Sequence, residues 1–312
     1  MTGPVGPLAA AADTATDRCG PLDVADAGRI PTDELAEAEL AVIRRAALAS
    51  TAYDGAPGTV TGTVAFGTVT VAKLQRRTHE RIGTIRRLEW LRQHAGIPAP
   101  QLLDHGTVPT GRRDGWWAIL SYAAGGSAAS PTPGQQRALG AALRAWHESG
   151  VTGGLRLDDP GGLGVLLGTP REFVPAGYPE LAERYAAACA GQPVTPIHGD
   201  AAVCHNTLFA GDDLAALIDS GAVEHGPPML DLAWALAVDL PHGAAADPLL
   251  DGYGRDAVSR DALAALLPLL MVRRLVDVRR IGAAAVGADW LIGWLRAYSP
   301  DLLALVAGEL GV

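Results

Sequence analysis

Residues 195 to 221 hold the stretch that most limits what this chain can fold into. An apolar approach, with Val194 and Ile197, runs into His198-Gly199-Asp200, and a short polar loop leads to Asn206. Thr207-Leu208-Phe209 and Leu214 to Ile218 flank Ala-Gly-Asp-Asp, a pattern that predicts a β-hairpin closing on Asp219-Ser220-Gly221. Such a hairpin returns Asp219 to the side of Asn206. The order is therefore a loop carboxylate, an amide and a second carboxylate. Phosphoryl transfer to a hydroxyl needs this set: one carboxylate orients and deprotonates the nucleophile, while the amide and the other carboxylate hold magnesium on the nucleotide phosphates.

Asn206 is the only asparagine in the chain, and Lys73, in Thr-Val-Thr-Val-Ala-Lys-Leu, is the only lysine. Every other cationic side chain apart from histidine is an arginine. A lone lysine at the end of an apolar strand points to a site that needs a compact point charge and not a planar fork. A lysine on the third strand of a small sheet, reaching nucleotide phosphates, is the partner that the loop carboxylates call for.

With 312 residues and 48% hydrophobic content, the chain can bury a sizeable core as one two-lobed unit or two domains. Its net charge of −9 argues against nucleic acid as the main partner. Cys19, Cys189 and Cys204 are widely spaced and form no zinc or disulfide pattern, which suits a reducing cytosol. No basic n-region precedes Leu8 to Ala12, so no signal peptide is expected there. The apolar run Ala262 to Val272 is too short to span a bilayer. A cytoplasmic protein with no membrane partner is expected; oligomeric state is not legible.

In chain order, residues 1–30 read as a flexible segment, 31–123 as a nucleotide-binding lobe and 124–312 as a lobe with the catalytic loop, metal site and acceptor site. Helices are expected at Thr32 to Ala49, Arg76 to His94, Thr132 to Ser149, Pro179 to Ala190, Met229 to Asp239, Arg260 to Ala285 and Asp289 to Tyr298. Strands are expected at Thr59 to Phe66, Thr68 to Leu74, Gln101 to Leu103 and Trp116 to Tyr122, with a hinge at Ala123 to Ser127 and a loop from Asp239 through Gly254. The fold class is α+β: a small antiparallel sheet with one helix, then a mostly helical part.

Together these pieces resemble the aminoglycoside phosphotransferase family, whose fold is similar to that of protein kinases. The matching residues are Val71-Ala72-Lys73-Leu74, Gly96-Ile97-Pro98-Ala99-Pro100, Trp117 to Leu120, Leu143 to His147, His198-Gly199-Asp200, Asn206 to Phe209, Ile218 to Gly221 and Gly226 to Ala233. The resemblance implies Asp200 as catalytic base, Asn206 and Asp219 as Mg²⁺ ligands, and Lys73 on the phosphates of ATP or GTP. It also implies Asp231 as a carboxylate bracing the loop and backbone groups around Ser121 and Ala123 at the nucleobase. The acceptor would be a hydroxylated small molecule, an antibiotic of aminoglycoside or nucleoside type above all, or else a choline-like alcohol or homoserine. Three departures stand out. Five residues, Ala201 to His205, separate Asp200 from Asn206, where the family has four. Either the loop bulges or His205 takes the metal-side position; Thr-Leu-Phe continues correctly from Asn206, which favours the bulge. The glutamate paired with Lys73 is displaced, leaving Glu80. Pro227 replaces an acidic residue after Gly226.

Blander and rival readings stand beside these. A degenerate kinase-like module would bind nucleotide without chemistry. A thiol hydrolase built on Cys204 and His205 lacks a third orienting group. His198 reads as a packed loop residue, and Arg273, Arg274, Arg279 and Arg280 as a solvated helix face with buried stems.

Overall fold

The computed structural model describes residues 62–66, 70–75, 92–93, 96–109, 114–121, 123–149, 183, 187, 192–219, 224–280 and 288–310. The expected helix Thr32 to Ala49, most of Pro179 to Ala190 and of Arg76 to His94, and Glu80 lie outside them. The chain divides into two compact units, Met1–Trp90 with Ala99–Ala123, and Leu91–Pro98 with Ala124–Val312.

The first unit contains an antiparallel sheet of β1 (Gly62–Phe66), β2 (Thr70–Gln75), β3 (Leu102–Pro109) and β4 (Asp114–Ser121), in the order β1-β2-β4-β3. Lys73 stands on β2, with Val64 of β1 on one side and Ala118 of β4 on the other. Strand β3 runs well past the expected Leu103. Asp104-His105-Gly106 lacks apolar alternation, so the extension is set by pairing along β4, from Leu102 opposite Leu120 to Pro109 opposite Asp114. At the end of β4, Ser121 and Gln101 close a reciprocal pair. The Ser121 N–H donates to the Gln101 carbonyl at 2.8 Å, and the Gln101 N–H donates to Ser121 Oγ at 2.8 Å.

The second unit begins with α1 (Pro133–Glu148). Its start is written locally: Thr132 is the N-cap, its side chain accepting from the Gln135 N–H while Gln135 reaches back to the Thr132 N–H, with proline at the first position. Then come β5 (Thr195–Ile197), the hairpin β6 (Thr207–Ala210) and β7 (Asp213–Leu217), and β8 (Glu224–Gly226), which pairs with β5. Five helices follow: α2 (Met229–Asp239), α3 (Ala246–Tyr253), α4 (Arg260–Arg280), α5 (Ala288–Tyr298) and α6 (Pro300–Leu310). Every residue of α2 is buried, as its all-round apolar sequence demands, and it packs on α4. None of the described helices is long and apolar enough to cross a membrane.

Helix α3 replaces part of the loop expected between Asp239 and Gly254. Its eight residues carry Leu249 and Tyr253 one turn apart, and these are its two buried side chains. The helix exists because α1 receives it closely. A Cβ on Gly140 would lie 2.2 Å from the Leu249 carbonyl oxygen, and one on Gly252 would lie 2.1 Å from the Arg137 carbonyl oxygen. Two bare glycines thus let the backbones touch, a pairing that neither segment announces alone.

Candidate active site

Strand β5 delivers the loop, and α2 fixes it. Asp231, in the first turn of α2 and completely buried, accepts from two successive backbone amides: His198 N–H to Oδ2 at 2.9 Å and Gly199 N–H to Oδ1 at 2.7 Å. His147, at the end of α1, donates from Nε2 to the same Oδ2 at 3.0 Å, and its Nδ1 meets the Tyr253 hydroxyl of α3 at 2.9 Å. Burial alone would raise the Asp231 pKa. The His147 bond and the charges and amide around it outweigh that, so the carboxyl sits below its ordinary value.

His198 is a packed residue, as the sequence suggests. It is fully buried, edge-on to Trp146 at 5.6 Å, and donates from Nε2 to the Ile218 carbonyl at 3.1 Å. Nδ1 is buried with no hydrogen-bond partner among the described residues, the bare lone pair of a neutral ring. Burial pushes its pKa down against the pull of Asp231, Asp200 and Asp219.

Beyond Gly199, whose φ of 77° suits glycine, the chain reaches Asp200, whose side chain is about a third exposed (32%). Asn206 Nδ2 donates to Asp200 Oδ2 at 2.9 Å and to the Asp200 carbonyl at 3.0 Å. His205 Nε2 lies 3.4 Å from the same Oδ2, on a side chain half exposed to solvent. Burial lowers the His205 pKa, but the bond to Asp200 and its charge prevail, and the net direction is up.

The five-residue spacing is accommodated by a closed turn. Ala202 and His205 exchange backbone bonds of 2.8 and 3.0 Å, and Thr207 Oγ1 donates to the Ala202 and Val203 carbonyls at 2.7 and 3.0 Å. This turn places Asn206 and His205 both against Asp200, so the loop bulges and His205 does not displace Asn206 from it. The hairpin then returns the chain. Ile218 N–H donates to the Asn206 carbonyl at 2.9 Å, which sets Asp219 one residue beyond that bond. Asn206 and Asp219, both at φ 58°, are the two non-glycine residues with left-handed backbones among those described. Asn and Asp are the types that enter this region at least cost, and such conformations gather at functional sites. The hairpin is anchored at its far end by α1: Thr132 Oγ1 donates to Asp212 Oδ1 at 2.6 Å, and Gln135 Nε2 to the Gly211 carbonyl at 2.9 Å.

Among the described residues no cluster of three or more His, Cys, Asp or Glu could hold a metal unaided. One carboxylate and one amide oxygen, both hard donors, suit a magnesium ion that takes its remaining ligands from phosphates and water. The donor set fits.

A sequence profile of the phosphotransferase enzyme family matches residues 68–266, more than half of the chain. The chain belongs to that family. Three solved structures share the fold of this phosphotransferase, each at an identity low enough to speak for fold alone. A choline/ethanolamine kinase family protein from Mesorhizobium loti is 18% identical with a TM-score of 0.54, over 80% of this chain and 90% of that one. The GDP and kanamycin complex of APH(2")-IIIa is 14% identical with a TM-score of 0.56, over 81% and 94%. The apo form of a thermostable mutant of aminoglycoside phosphotransferase APH(4)-Ia is 13% identical with a TM-score of 0.57, over 84% and 96%. No curated protein sequence matches significantly. The α+β, protein-kinase-like class and the small-molecule kinase activity read from the sequence both hold.

Within the phosphotransferase, the loop region brings together Asp200, Asn206, the start of the Asp219 segment and the bracing Asp231. Lys73, Ser121 and Ala123 lie in the other unit, and Glu80 outside the described residues. Sequence reasoning missed Asp239, which accepts from the Val203 and Cys204 amides at 2.8 and 2.9 Å. The signal was present, since an aspartate ending a helix that is apolar apart from Asp231 must find buried donors. The Cys204 thiol is half buried beside Asp239, and burial pushes its pKa up to about 12. A raised thiol pKa disfavours the thiolate that a hydrolase built on Cys204 would need.

Proposed function

We propose that this phosphotransferase moves the γ-phosphate of ATP or GTP to a hydroxyl of a small antibiotic, of aminoglycoside or nucleoside type, with resistance or self-protection as the outcome. The observation that carries the chemistry is the Asp200 carboxylate, one oxygen held by Asn206 at 2.9 Å, on a loop fixed to a buried helix yet still partly open to solvent. Asp200 accepts the hydroxyl proton as the acceptor oxygen attacks the γ-phosphorus in line. Asn206 and Asp219 would hold Mg²⁺, which when bound neutralises charge on the phosphates. Lys73, with Glu80 as its partner, steadies those phosphates, and the backbone at Ser121 and Ala123 meets the nucleobase. With a loose transition state, positioning and charge neutralisation supply most of the rate. The GDP and kanamycin complex of a protein with this fold supports a nucleotide and an antibiotic as the two substrates.

The test is phosphate transfer read by mass, with purified protein, Mg²⁺, ATP or GTP, and a panel of hydroxylated antibiotics beside choline and homoserine. Gain of one phosphoryl group on an antibiotic is the expected result. Transfer to choline or homoserine alone would replace the antibiotic reading with a metabolic one, and nucleotide binding without any product would favour a binding module. Asp200→Asn keeps nucleotide binding and loses roughly 10²–10⁴ in turnover; near-normal turnover by that variant removes Asp200 from the role.

A further inference from the structure

The turn that absorbs the extra loop residue has its own anchor, on the opposite end of the helix that holds His198 and Gly199. Val203 and Cys204 form the tip of the Ala202–His205 turn, and both their N–H groups point into the Asp239 carboxylate, to Oδ2 at 2.8 Å and Oδ1 at 2.9 Å. Asp239 is the last residue of α2 and is 2% exposed. One rigid, buried helix thus grips the loop twice, before Asp200 and after it. Two residues beyond the second grip the chain must place Asn206, and not its neighbour His205, at hydrogen-bond distance from both the carbonyl and the carboxylate of Asp200. A one-residue slip of the turn would put His205 where Asn206 stands. It would also pull the two amides off Asp239 and leave a buried carboxylate unpaired, which is costly.

We propose that Asp239 is a positioning residue for phosphoryl transfer: by holding the Val203 and Cys204 amides it locks the register of the five-residue loop and so sets the Asp200–Asn206 contact. This rests on Asp200 and Asn206 having the roles given above. Asp239 touches no reacting atom and acts only through the loop.

Asp239→Asn tests it. The amide oxygen still accepts one N–H, but its NH₂ confronts the other, so one grip fails while shape is kept. With the full-length variant, assayed well below its melting temperature, kcat is expected to fall roughly 10- to 100-fold with nucleotide Kd unchanged. Deuterium labelling of the Val203 and Cys204 amides in the variant, with those of His198 and Gly199 as internal reference, is expected to speed up about tenfold as the turn loosens. A lower melting temperature with wild-type kcat and wild-type labelling of the Val203 and Cys204 amides would make Asp239 a stability residue only and overturn the proposal. Should Asp239→Asn fail to fold, hydrogen exchange on the wild type decides. Protection of the Val203 and Cys204 amides comparable to that of His198 and Gly199 upholds the grip, and exchange typical of an exposed turn rejects it. Asp200→Asn separates the two ideas: full turnover there removes the base while the labelling of the Val203 and Cys204 amides still judges the grip.

Discussion

The two ends of helix α2 do the same thing to the loop backbone under opposite electrostatics. Asp231 lies in the first turn, where the helix dipole favours a carboxylate, and His147 adds a third donor. Despite complete burial its pKa is lowered. Asp239 is the final helical residue, where the dipole opposes negative charge, and burial outweighs its amide and thiol partners, so its pKa is raised. Each carboxylate holds a pair of successive amides, yet their pKa values move in opposite directions. The lesson is that geometry alone does not rank such contacts. What backs the acceptor does: at Asp231 a path through His147 to Tyr253 ties α1, α2 and α3 to the catalytic loop.

The hardest blow to this comparison is Asp231→Ala. It strips His198, Gly199 and His147 of their acceptor inside the core and is expected to cost at least about 3 kcal/mol. Chemical denaturation reads it, and a loss below about 1 kcal/mol would mean that the Asp231 end is no better founded than the Asp239 end. Next is Gly140→Ala. The new methyl would meet the Leu249 carbonyl and the Tyr253 amide nitrogen at 2.2 and 2.7 Å, so α3 must move and Tyr253 leaves His147. A destabilisation of about 1–3 kcal/mol is expected, together with a drop in kcat if the backing of Asp231 matters to the loop. Unchanged stability would show that α3 gives way without consequence.

The smallest effect is a pH signature. The His198 folded pKa is lowered, so the unfolded chain takes up protons first, and stability should fall as pH drops below about 6.5. The Asp231 folded pKa is lowered too, so its contribution is present above its unfolded value and is lost only as pH falls below about 4. Asp239 runs the other way: its raised folded pKa means that acidification relieves a cost, and stability from this group rises as pH falls through that pKa. Stability curves for His198→Gln and Asp239→Asn resolve the windows. The first should flatten the loss just below about pH 6.5 and the second should remove the opposing gain; an Asp239→Asn curve parallel to that of the wild type would erase the contrast between the two aspartates.

Much of this protein is legible along the chain. Thr132 writes its own helix start through a proline and a reciprocal cap, all within four residues. Met229–Asp239 is helical over the span its apolar run predicts. The order His198-Gly199-Asp200, Asn206, hairpin, Asp219 carries the family, because the hairpin turn that brings the last two segments together is itself local. Periodicity, capping and turns act over a few residues, so a sequence can state them. Only the tertiary structure decided what α2 grips, since Asp239 meets Val203 and Cys204 across about 35 residues and nothing near either segment encodes the other. It likewise decided that Ala246–Tyr253 is a helix, because the meeting of Gly140 with Gly252 is a property of two surfaces and not of either strand of text. A buried carboxylate must be paired, and the sequence says that much; which amides pair with it depends on where the packed core carries the chain.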